Sequence, residues 1–128
     1  VFIHAAGPII CERPMYFLYG GAWSGGHCVT GISAPGTDWF FAEGTTREGF
    51  EEWLCLQNPQ GEAVHADLTF MTGQGQTVPH AVDLPPHSRT TLHVNRILGP
   101  GVDASVFIHA AGPIICERPM YFLRWMTR

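Results

Sequence analysis

Apolar and polar residues alternate along much of this chain, most clearly between residues 64 and 94. Val64, Ala66, Leu68 and Phe70 share one parity and His65, Asp67 and Thr69 the other, the period of a strand with one face buried. Gly73-Gln74-Gly75-Gln76 supplies a turn, Val78, His80, Val82 and Leu84 resume the alternation, and after Pro85-Pro86 it returns in Thr90, Leu92 and Val94. Upstream, residues 39–43 alternate and stop at Gly44, residues 45–52 read as loop, and residues 52–57 make a strand closed by Asn58-Pro59-Gln60-Gly61. Residues 95–104 read as a loop turning at Gly99-Pro100-Gly101. Beyond it, Val106, Ile108 and Ala110 alternate with Phe107, His109 and Ala111, Gly112-Pro113 breaks the run, and residues 114–123 resume it, which predicts a β-hairpin. Pro119 has no N–H to give a ladder, so an edge position or a bulge is expected there.

Counted from Trp39, the pattern predicts seven short strands with turns at sandwich spacing. The fold expected is all-β, an immunoglobulin-like β-sandwich of about seven antiparallel strands. One further feature organises the chain: residues 1–18, VFIHAAGPIICERPMYFL, return unchanged as residues 106–123, an offset of 105. That offset is about the length of one domain. The division it suggests is a duplicated hairpin at 1–18, a Gly-rich connector with a short strand at 19–33, a sandwich module at 34–123 and a tail at 124–128. After Leu123 the tail reads Arg-Trp-Met-Thr-Arg, where Leu18 is followed by Tyr-Gly-Gly-Ala-Trp, so the repeat register is lost there.

A bare hairpin is marginal in water, so each copy needs something to dock on. If the second copy completes its own sandwich, the first is surplus. Its apolar side chains, Val1, Phe2, Ile3, Ile9, Ile10, Met15, Tyr16, Phe17 and Leu18, are then expected to pack on a neighbouring module or chain by adding strands, head to tail. The plainer alternative is that residues 1–18 trail from an arbitrary cut.

Composition agrees with strands and turns: 45% hydrophobic, 14% charged, with 15 Gly and 10 Pro. All seven basic residues are Arg and the formal charge is −4, so no basic face is visible for nucleic acid. Without Lys there is no Lys-Asn isopeptide staple. No run of residues suits a membrane-spanning helix or a signal peptide, and a chain opening on Val is expected to be a processed product or a fragment.

Candidate chemistry is sparse. Four cysteines allow three pairings. The repeat favours Cys11 with Cys28, by which Cys116 would reach the next module; Cys116 with Cys55 would staple each sandwich internally; buried free thiols are the third possibility. His65, Asp67 and His93 fall on outward faces, too widely spaced for a metal site to be expected. No nucleophile motif such as G-x-S-x-G is present, and neither catalytic residues nor a cofactor is expected. Trp23, Trp39 and Trp53 offer a sugar-stacking platform, though aromatics in a small sandwich are more often core. Arg118 on the inner side is expected to anchor a carboxylate such as Glu43.

Four segments, WFFAEG at 39–44, GFEEWLCLQNP at 49–59, SRTT at 88–91 and ERPMYF at 117–122, together resemble the tandem β-sandwich repeats of large bacterial surface proteins. The resemblance spans nearly the whole period. It implies an extracellular, repeated, non-enzymatic module. Against that family Cys11 stands where an apolar residue is more usual and Cys28 where an acidic one is, a paired departure. The function expected is therefore a structural repeat or filament subunit whose partners are copies of itself, with adhesion to surface glycans as the alternative.

Overall fold

Strands β1 (Glu12–Tyr19) and β2 (Trp23–Thr30) pair antiparallel, with Tyr19 opposite Trp23. The chain reverses at Gly20 and Gly21, whose φ of 57° and 74° suit residues without a Cβ, and Ala22 N–H donates to Tyr19 O at 3.1 Å. These strands lie in the first of two units, Val1–Ser33, of the computed structural model, which describes residues 1–123. The tail predicted at 124–128 lies outside the described residues.

The hairpin predicted within residues 1–18 is corrected. Residues 1–10 belong to no strand, and the hairpin spans 12–30 instead, so the segment read as a connector supplies its second strand. Gly7-Pro8 does not reverse the chain into a ladder. A strand needs a partner for its backbone groups, and within this unit the only pairing is that of β1 with β2.

The second unit begins at Ala34. It contains β3 (Gly36–Phe41), β4 (Phe50–Asn58), β5 (Val64–Thr72), β6 (Thr77–Leu84), β7 (Ser88–His93), a short helix α1 (Val94–Leu98), β8 (Ala104–Glu117) and β9 (Met120–Phe122). It is an all-β antiparallel sandwich of seven strands, as the alternation predicts. Strand order is β6-β5-β8-β4-β7, with β3 also on β8 and β9 also on β4.

Strand β8 is the axis of this arrangement. Residues 104–110 pair with β5, residues 106–109 and Ile114 also pair with β3, and residues 115–117 pair with β4. One strand therefore serves two sheets, a corner made by a bend rather than by a turn. This corrects the hairpin predicted at 106–123: Gly112-Pro113 bends β8 without ending it, and the interruption falls at Arg118-Pro119. The inward parity never slips, because Val106, Ile108, Ala110, Ile114 and Cys116 are all buried. At the bend a Cβ on Gly112 would lie 3.3 Å from Val64 Cγ2, so the small residue lets β5 come close.

The core is completed by Leu54 and Leu56 from β4, Ala66, Leu68 and Phe70 from β5, Leu84 from β6 and Val94 from α1. Two buried polar residues hold the loops. Asn58 Nδ2 donates to the carbonyls of Glu62, Leu84 and Pro85 at 2.8–3.1 Å. Thr46 Oγ1 donates to Gly99 O at 2.6 Å and accepts from Val102 N–H at 2.9 Å, pinning the 45–49 loop to the loop between α1 and β8.

Candidate functional site

The chain's distinctive feature is the place that β8 and β9 occupy, because the same residues exist twice. In the second copy Ile108 and Ile114 are 0% exposed, and in the first their counterparts Ile3 and Ile9 are 58% and 59% exposed. Val1, Phe2 and Ile10 are also exposed and lie outside any strand. Met15, Tyr16, Phe17 and Leu18 are on β1, with Met15, Tyr16 and Leu18 exposed and Phe17 tilted against His27 at 6.2 Å. The structure thus leaves the first five predicted assembly residues outside any strand and places the other four on β1. Sequence identity does not decide the outcome; the availability of β3, β4 and β5 as partners does.

Where β8 gives way to β9, a cluster of charge is built from the local sequence. Glu52 on β4 is buried, its carboxylate accepts the Thr45 N–H, and Arg118 Nη1 lies 3.9 Å from Oε1. Arg118 therefore faces Glu52, not the Glu43 that the sequence suggests; a strand side chain reaches its cross-strand neighbour, and Glu52 pairs directly with Met120. A Cβ on Gly44 would sit 2.4 Å from Glu52 Oε1 and 2.8 Å from Ala104 O, so only glycine fits. Burial pushes the Glu52 carboxyl up to about 7, against the opposing pull of Arg118 and the Thr45 N–H. Arg118 Nε and Nη1 are buried without a hydrogen-bond partner, while the guanidinium lies 5.9 Å from the Phe41 ring centre. The cluster opens on a hollow of about 740 Å³, also lined by Phe50, Met71 and Met120, with the Arg47–Asp103 ion pair at its wall.

All four thiols are free, and the hairpin register explains why the favoured bridge is absent. Cys28 stands opposite Pro14, three residues beyond Cys11, which is about 10 Å along a strand and past the reach of a disulfide. Cys116 stands opposite Leu56 and Cys55 opposite Glu117, so these two point to opposite faces. Burial pushes the Cys116 thiol up to about 12. His65 is engaged by Asp83 at 2.6 Å and Asp67 at 3.4 Å, which together raise its pKa, the Asp83 hydrogen bond most. Among the described residues no group of three or more His, Cys, Asp and Glu is placed to hold a metal.

The tryptophans are used separately. Trp39 Nε1 donates to Gly36 O at 3.1 Å with the ring packed on the core, Trp53 stacks on His93 at 4.0 Å, and Trp23 tilts against Tyr19 at 5.6 Å. His93, expected on an outward face, is instead half-buried with its Nε2 2.5 Å from Glu51 Oε2; the pair joins neighbouring strands and has no local motif. No described helix is long and apolar enough to cross a membrane.

No protein-family model matches the chain, and no curated protein matches it. Solved structures do resemble it. The Anabaena sensory rhodopsin transducer aligns with a TM-score of 0.61 at 22% identity, covering 70% of this chain and 100% of that one. Thermotoga maritima 1070 aligns with a TM-score of 0.62 at 18% identity, covering 72% and 96%. At these identities the likeness is one of fold, an antiparallel β-sandwich, and of nothing more.

Proposed function

We propose that this chain is a structural repeat module of an extracellular bacterial surface protein or filament, in which residues 1–18 are the closing ribbon of a module preceding the sandwich. One observation carries this reading: residues 106–116 form the central strand of a core, and the identical residues 1–11 have none. The seat for such a ribbon lies between β5 and β4, in the middle of the strand order. Another molecule can enter it only by expelling the resident β8. That exchange trades identical contacts and still costs the freedom lost on association. Separate copies therefore gain little from complementing one another, and a continued array, with one ribbon to each seat, satisfies both copies. The alternative of glycan adhesion has less support, since the tryptophans are already engaged by neighbouring side chains or backbone.

The test is a set of three chains. Residues 19–123 keep the second ribbon, residues 1–105 keep only the first, and residues 19–105 have neither. The first two should show cooperative unfolding and the third none, with 1–105 either closing on its own seat or linking into polymers as concentration rises. Should 1–105 be as unfolded as 19–105, the two ribbons are not equivalent and the reading fails. Antibodies against the sandwich should label intact cells of the source organism.

A further inference from the structure

The two copies of Glu-Arg-Pro-Met-Tyr-Phe-Leu use different edges of the same strand. At 117–123 the partner is β4: Trp53 N–H donates to Pro119 O and Leu123 N–H donates to Gly49 O, both at 3.0 Å. Backbone groups alternate between the edges of an antiparallel strand. Pro119, Tyr121 and Leu123 thus turn theirs toward β4, and Met120 and Phe122 turn theirs away. Among the described residues β9 pairs with β4 alone.

At 12–18 the partner is β2. Tyr19 and Trp23 close this hairpin across three residues; Tyr19 O accepts from Ala22 N–H at 3.1 Å, and Met15 O would lie 3.1 Å from a Cβ on Gly26, so these odd-numbered residues turn their backbone groups to the returning strand. Tyr19, Phe17 and Met15 therefore turn toward β2. Met15 and Phe17 are the counterparts of Met120 and Phe122, so the edge filled by β2 in the first copy is the edge left open in the second.

We propose that a further copy of the Trp23–Thr30 strand, following Leu123 in a continued array, occupies the outer edge of β9. Consecutive modules are then joined by an unbroken three-stranded sheet in the order β4, β9, β2. Superposing the two registers aligns Phe50, Phe122 and Gly25 across the sheet, then Glu51, Tyr121 and Gly26, then Glu52, Met120 and His27. The side chains fit this order. A Cβ on Gly25 would lie 2.8 Å from the Phe17 ring and one on Gly26 2.9 Å from the Tyr16 ring, so the paired glycines are the cradle for an adjacent Tyr and Phe. Phe122, stacked on Phe50 at 5.7 Å and 58% exposed, awaits the same cover. The inference rests on the array reading and adds to it that the glycine-rich segment is a structural strand, not a loose tether.

The experiment compares the chain as it stands with one in which residues 124–128 are replaced by a second copy of residues 19–33, using amide hydrogen exchange. In the present chain Tyr121 and Leu123 should be protected, and Met120 and Phe122 should exchange freely. In the extended chain Met120 and Phe122 should slow by about 100-fold, to the level of Met15 and Phe17 in the hairpin that both chains carry. Valine at the appended counterparts of Gly25 and Gly26 should abolish the effect while the sandwich stays folded. Free exchange at Met120 and Phe122 in the extended chain, or protection already present in the shorter one, would overturn the proposal. Folding of residues 1–105 bears on the array alone, so failure here with success there removes only the joining sheet.

Discussion

Glu52 is held in the folded chain with its carboxyl near 7 instead of 4.5, chiefly because burial strips it of water. The folded state therefore keeps a proton that the unfolded chain releases, and stability is full below pH 4.5 and falls as pH rises to 7. The loss is roughly 3 kcal/mol at about 1.4 kcal/mol per pH unit. His65, raised by its two aspartates, adds a smaller loss of the same sign at an exposed site. Urea midpoints should be higher at pH 5 than at pH 8, and Glu52→Gln should remove most of that difference; an unchanged difference in the variant would mean that Glu52 is not the group responsible. Thiols give a second residue-scale test. Cys28 is exposed, and Cys116 is buried with its thiol pushed up to about 12, so a thiol reagent at pH 8 should modify Cys28 in the native chain and Cys116 only on unfolding. Equal rates would place Cys116 at the surface and refute the position of β8.

For whole elements, the duplicated ribbon is a controlled comparison of one sequence in two settings. Ile114→Ala should cost about 3–4 kcal/mol, the range for emptying a buried site. Ile9→Ala should change stability by less than about 0.5 kcal/mol, as for an exposed side chain. Chemical denaturation of the two variants decides it, and equal effects would contradict the difference in burial. Strands β5, β6 and β7 were legible because polar and apolar residues alternate without interruption and glycine or proline pairs bound each run. The bend in β8 was not legible, because Gly112-Pro113 is also what a turn looks like. The clue lay in parity: Val106, Ile108, Ala110, Ile114 and Cys116 occupy even positions on both sides of it. Helix α1 was hidden in a predicted loop, although Val94, Ile97 and Leu98 have helical spacing and pack on the core. The Arg118–Glu52–Gly44 cluster was out of reach, since it depends on cross-strand register, and register is a product of the finished sheet.

At the scale of the molecule, one seven-stranded unit and two copies of one ribbon obey simple stoichiometry: one seat and two claimants for it. Because displacement swaps like for like, the present chain should sediment as a monomer at micromolar concentration, and concentration-dependent association of the intact chain would show that a second seat exists. The β-sandwich and its strand count could be read from alternation and turn spacing, and the repeat from identity alone. The open edge of β9 could not, because it is visible only when two pairings of one heptapeptide are laid side by side. The central position of β8 has a bearing on biosynthesis. A ribosome delivers β3 to β7 first and the strand that fits between them last, so a nascent module stays unfinished until nearly all of it has been translated, and the order in which the chain emerges helps to match every keystone to its own arch.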